Sequence, residues 1–163
     1  MDRKRILIAV DSSENSKRAV SYVGDLLGDT PDILITLLYI ERPPDRDTYA
    51  DDTAWKSAAH AKEKNIQIFL DEARGMLEYK GVARERIAKK YVVSCKSGIH
   101  EPAEDCSVGI SIAEEILRVQ EEGGFGTIVI GRRGVSRTEE FLYGSVSTSV
   151  MHKARAGTIW VVE

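Results

Sequence analysis

Hydrophobic and polar positions along this chain follow two distinct rhythms. Short runs rich in β-branched residues occur at RILIAV (5–10), DILITLLYI (32–40), IAKKYVV (87–93), GTIVI (126–130) and GTIWVV (157–162). Four of the five are almost wholly apolar, the pattern of strands covered on both faces in a parallel sheet. The run at 87–93 carries Lys89 and Lys90, which suits an edge strand. Between the runs the apolar spacing lengthens to that of helices. Residues 14–28 bring Ala19, Val23, Leu26 and Leu27 to one face, and residues 54–80 do so with Trp55, Ala59, Ile66, Phe69, Ala73, Met76 and Leu77. A third helix is expected over 109–122, with Ile112, Ala113, Ile116, Leu117 and Val119, and a short fourth over 144–155, with Val146, Val150 and Met151. Strand–helix alternation of this kind implies right-handed crossovers and a three-layer α/β domain.

Two stretches break the rhythm. ERPPDRDTYADDT (41–53) is polar and Pro-containing and reads as a loop, with a lid as the alternative; SCKSGIHEPAEDCSV (94–108) is long for a connection between strand and helix. At 163 residues the chain fits a single domain, 1–163, with 42% hydrophobic and 30% charged residues, as in ordinary globular proteins. Its 23 basic and 26 acidic side chains leave a net charge of −3, which argues against a dedicated nucleic-acid binder. The opening MDRKRILIAVDSS is too short in apolar residues for a signal peptide, and no run approaches a membrane span. With two cysteines, the expectation is a cytoplasmic, reduced protein with no membrane partner.

In an open parallel sheet, ligands bind beyond the carboxyl ends of the strands, where the winding direction reverses. The first such end, VDSSENS (10–16), lacks a glycine fingerprint. The glycines follow the fourth run instead, in GRRGVSRTEEFLYGSVS (131–147): Gly131, Gly134 after two residues, then Gly144-Ser145 after nine more. With strand order 3-2-1-4-5 the first and fourth strands are neighbours, and the crevice lies between Asp11 and Gly131; a flavodoxin-like order 2-1-3-4-5 would separate them. Glycine amides turned inward make an anion-binding concavity, and a helix beginning at Gly144-Ser145 offers unpaired amides and a favourable dipole. Ser145 and Ser147 add hydroxyls. Arg132, Arg133 and Arg137 would ride on a flap, and Asp11 would accept hydrogen bonds from a ribose or base. The plainer reading is open too: turn glycines, an ordinary helix start, and Asp11 with Glu14 as a capping box.

GRRGVSRTEEFLYGSVSTSVMHKA resembles the nucleotide motif of the universal stress protein family, Gly-x2-Gly-x9-Gly-Ser/Thr, at every specified position. RILIAVDSSENSKRAV is similar to the family's first strand and Asp-bearing loop, LLYIERP to its second strand end, and GISIAEEIL to its third helix start. The resemblance implies a Rossmann-like fold of the adenine nucleotide alpha hydrolase type, with a five-stranded parallel sheet of order 3-2-1-4-5 and four helices. It implies ATP, with Mg²⁺, as ligand. Asp11 and Ser12 would contact the adenosine and Tyr39 the adenine through its main chain, while Gly131, Arg132, Gly134, Gly144, Ser145, Val146 and Ser147 would hold ribose and phosphates. It also implies a homodimer through the last strand, although AGTIWVVE departs from the Cys-Pro-Val-type ending common in the family.

Three functions follow as alternatives. One is a stress-response regulatory module that binds ATP and is no enzyme. The second is a slow ATPase or phosphotransferase, disfavoured because no Walker lysine follows the glycines and the motif holds no evident base. The third is an interaction module free of nucleotide. Cys95, His100 and Cys106 match no standard zinc spacing and read as loop residues, and His60 and the His152–Lys153 pair read as surface positions on helices.

Overall fold

The computed structural model describes residues 1–42, 46–94, 106–107, 111–132 and 144–163. Five long strands form its sheet: β1 (Asp2–Val10), β2 (Leu34–Glu41), β3 (Ile87–Ser94), β5 (Phe125–Gly131) and β6 (Thr158–Val162). All neighbours are parallel. In chain order of these five the arrangement is 3-2-1-4-5, with β1 between β2 and β5. The registers Val10↔Tyr39 on one side and Ala9↔Ile130 on the other exclude the flavodoxin-like order.

The near-continuous apolar strands are explained by cover on both faces. Ile6, Ile8, Val10, Ile35, Leu37 and Val129 pack against α1 (Glu14–Leu27) and α2 (Asp52–Tyr79), through Ala19, Val20, Val23, Ile66, Phe69, Leu70, Ala73 and Leu77. The alternate residues Leu7, Leu38, Ile128 and Ile130 face α3 (Ile112–Gly123) and α4 (Ser145–Lys153), through Ala113, Ile116, Val119 and Val150. Hydroxyl or carboxylate side chains cap three helices: Ser13 accepts from Ser16 N–H, Asp51 from Ala54 N–H and Ser111 from Glu114 N–H.

The structure departs from the sequence pattern in three places. A two-residue strand, β4 (Cys106–Ser107), pairs with the end of β3 at Val93↔Cys106 and Ser94↔Ser107, inside the segment expected to be irregular. Two residues carry no periodicity, so no pattern could announce it. β3 is therefore an outer strand only up to Val92, with Lys89 reaching Asp71 on α2 at 2.8 Å. On α1 the buried stripe is Ser16, Ala19, Val20, Val23 and Gly24, and Leu26, expected on that face, stands 52% exposed. Among the described residues, no helix is long and apolar enough to cross a membrane.

Candidate ligand-binding site

The strand order reverses between β1 and β5, and a cleft of about 420 Å³ opens there beyond the carboxyl ends of the strands. That volume lies within the range of small-molecule sites, roughly 300–1,000 Å³. Its floor is apolar: Ala9, Leu38, Ile40 and Ile130 from the strands, Ile112 and Ile116 from α3. Polar groups border it, with Asp11, Ser16, Tyr39 and Arg42 on one side and Gly144, Ser145 and Ser147 on the other. An apolar floor between a carboxylate and a helix N-terminus suits a flat base joined to a polar, anionic tail.

The turn from β1 into α1 is tightly bonded. Oδ1 of Asp11 accepts from the Ser16 hydroxyl at 2.6 Å and from Ser13 N–H at 3.2 Å, while Asp11 N–H donates to Ser16 Oγ at 3.0 Å. The N-cap of α1 is Ser13, so Asp11 and Glu14 do not form the capping box that their spacing allows. Asp11 instead braces the turn from outside the helix. Ser12 adopts φ of 65°, the left-handed region that side chains disfavour.

Tyr39 lies in β2 opposite Val10, and its ring meets Phe69 edge-on at 6.4 Å. Burial pushes its hydroxyl above its ordinary value; a hydrogen bond with the Ser12 side chain opposes this, and the charges of Asp11 and Glu41 reinforce it. The phenol therefore stays protonated at neutral pH. The Tyr39 side chain packs against the α1/α2 core, and the residue also lines the cleft.

On the opposite wall, Gly131 ends β5 where a Cβ would stand 3.0 Å from the Asn15 carbonyl carbon and Cβ, so α1 and β5 approach closely only because no side chain intervenes. Arg132 then acts as a junction. Its N–H donates to Val162 O at 2.7 Å, and its carbonyl accepts Gly144 N–H at 2.9 Å and the Ser147 hydroxyl at 2.8 Å. Ser147, 3% exposed, thus ties the start of α4 to the end of β5. Gly144, the N-cap of α4, has no side chain to cap the helix, so among the described residues no side chain takes up its first amides, which lie beside the Ser145 hydroxyl.

Seven expected residues border the cleft together: Asp11, Tyr39, Gly131, Gly144, Ser145, Val146 and Ser147. Two take other places. Ser12 does not line the cleft, and the Arg132 guanidinium pairs with the Glu163 carboxylate. Gly134, with Arg133 and Arg137, lies outside the described residues, as do Cys95 and His100. Among the described residues no cluster of His, Cys, Asp or Glu could hold a metal ion. Sequence reasoning missed the floor: Ile112 and Ile116, spaced i, i+4, read as ordinary core. Arg42 was findable as a charged residue directly after a strand.

The chain matches the universal stress protein family over residues 2–162. It is 27% identical over 151 residues to the universal stress protein YxiE of Bacillus subtilis (strain 168), covering 90% of each chain. Among solved structures, the hypothetical protein MJ0577 superposes with a TM-score of 0.74 at 20% identity, covering 99% of this chain and 96% of that one. A universal stress protein in complex with cAMP superposes with a TM-score of 0.62 at 17% identity, covering 96% and 94%. At these identities the structural likenesses concern the fold.

Proposed function

Since this chain belongs to the universal stress protein family, we propose that it binds ATP in the cleft and serves as a cytoplasmic stress-response module. The observation that carries the reading is the convergence of Asp11, Tyr39 and the start of α4 at Gly144-Ser145 around one apolar floor. Adenine fits the floor of Leu38, Ile40, Ile112, Ile116 and Ile130; Asp11 accepts from the adenosine, and the α4 amides with Ser145 receive the phosphates. Mg²⁺ would travel on the phosphates, since carboxylates are scarce here: Asp11 alone borders the cleft among the described residues. The structural neighbour crystallised with cAMP supports an adenine nucleotide as the ligand class. Mass spectrometry of small molecules released from the denatured protein tests this: an adenine nucleotide is expected, and recovery of a different ligand class would count against ATP.

Hydrolysis is expected to be slow or absent. The only carboxylate bordering the cleft, Asp11, already has Oδ1 committed to Ser16 and Ser13, and no histidine or lysine borders it among the described residues. A turnover of roughly 1–10³ s⁻¹ in a phosphate-release assay would overturn that expectation.

The same reading includes a homodimer through β6. This strand is the last in the sheet order, and Ile159, Trp160, Val161 and Val162 are only half-buried in a single chain. Trp160 meets the half-exposed Tyr22 edge-on at 6.1 Å, extending the apolar surface onto α1. An apolar edge of this kind templates pairing with a second copy across a two-fold axis. Light scattering at micromolar concentration should give twice the chain mass; a value near 18.1 kDa would exclude the dimer.

A further inference from the structure

Helices α1, α2 and α3 each begin with a side-chain oxygen on a first-turn amide, supplied by Ser13, Asp51 and Ser111. Helix α4 begins differently. Its N-cap is Gly144, and among the described residues no side chain bonds its first amides. Its start is held by donors instead. Gly144 N–H donates to Arg132 O at 2.9 Å, and the Ser147 hydroxyl lies 2.8 Å from the same carbonyl and 2.9 Å from Gly144 O. A hydroxyl has one proton, so Ser147 shares it between these two carbonyls and has none left to give a phosphate. Burial of Ser147, at 3% exposure, keeps water from competing for that proton. The acceptor is fixed from its other side as well. Arg132 N–H donates to Val162 O of β6 at 2.7 Å, and its guanidinium pairs with the Glu163 carboxylate just after that strand. The Arg132 carbonyl is therefore a fixed post from which the first turn of α4 hangs.

We infer that Ser147 is a positioning residue and not a ligand contact: its hydroxyl ties the first turn of α4 to the Arg132 carbonyl and so sets where the amides of that turn meet the cleft. The consequence for ligand affinity rests on the nucleotide reading above; the consequence for the helix start does not. Ser147→Ala keeps the Cβ and removes only the hydroxyl. Neither carbonyl is stranded, because Arg132 O keeps Gly144 N–H and Gly144 O keeps Thr148 N–H at 3.0 Å. The variant should therefore melt near the wild-type temperature.

Ser147→Ala should weaken ATP binding by roughly three- to tenfold, the range for one lost hydrogen bond. Adenosine, which carries no phosphate for the α4 amides, should keep its affinity. Wild-type affinity for ATP, or equal losses for both ligands, would overturn the inference. Amide hydrogen exchange in the ligand-free protein separates positioning from contact. Ser147→Ala should accelerate exchange at Gly144 N–H and leave Ala154 N–H, bonded to Val150 O at 3.0 Å at the far end of α4, unchanged. Ser145→Ala, which removes a hydroxyl bordering the cleft, should weaken ATP binding without altering either amide. In Ser147→Ala, equal acceleration at both amides would mean general loosening of the helix, and no acceleration at Gly144 would mean no positioning; either refutes the proposal. Absence of ATP binding by the wild type would sink the nucleotide reading alone, since the exchange experiment decides the positioning without ligand.

Discussion

Gly28→Ala should destabilise the fold by at least about 3 kcal/mol, the upper part of the range for overpacking. Gly28 closes α1 with its N–H on Gly24 O, and a Cβ there would stand 1.8 Å from the carbonyl oxygen of Lys80 and 2.8 Å from that of Gly24. Neither neighbour yields easily, because both are backbone. Lys80 N–H is bonded to the carbonyls of Met76 and Leu77, so moving Lys80 means unwinding the end of α2. For a chain of this size the loss corresponds to a melting temperature lower by roughly 6–12 °C. Gly75→Ala on α2 is the control, since its Cβ would meet nothing within 4 Å. That substitution should stabilise by about 0.5–1 kcal/mol through helix propensity alone. Denaturant titration of the two variants should therefore give shifts of opposite sign; matching shifts would refute the packing account.

Gly144→Val should remove ATP binding while leaving the fold near wild-type stability. Gly144 has φ of −66° and ψ of 157°, an extended conformation that valine accepts, so the backbone does not resist the change. What changes is the cleft wall at the start of α4, where three added carbons crowd the space expected for phosphates. Overpacking by about 2–3 kcal/mol translates into an affinity loss of roughly 30-fold or more. Calorimetry gives the affinity and a thermal melt gives the stability. Wild-type affinity in a normally folded variant would remove the phosphate end of the site from this helix.

The fold was legible where burial imposes a pattern. β1, β2, β5 and β6 are covered on both faces, and their apolar runs stand out from the helical spacing between them. Their order was legible only through the family resemblance, because periodicity does not say which strand neighbours which; the registers of β1 with β2 and β5 supply that. β4 was illegible because pairing at Val93 and Ser94 is set by the path of the chain rather than by composition. At the site, Gly131 and Gly144 were visible since glycine is costly without a reason, and the approach of Asn15 to Gly131 supplies one. The junction made by Arg132 was not legible, because its carbonyl bonds Gly144 and Ser147 and its guanidinium pairs with Glu163 only once the chain is folded. The left-handed backbone of Ser12 was hidden as well, since a positive φ on a serine leaves no mark in the sequence.

The central claim is that the cleft between Asp11 and the start of α4 binds ATP. Titration calorimetry of the nucleotide-stripped wild-type chain with ATP and Mg²⁺ tests it most directly. The expected result is a saturable isotherm with one site per chain, which Gly144→Val abolishes. A wild-type titration with no saturable heat up to millimolar ATP would contradict the account.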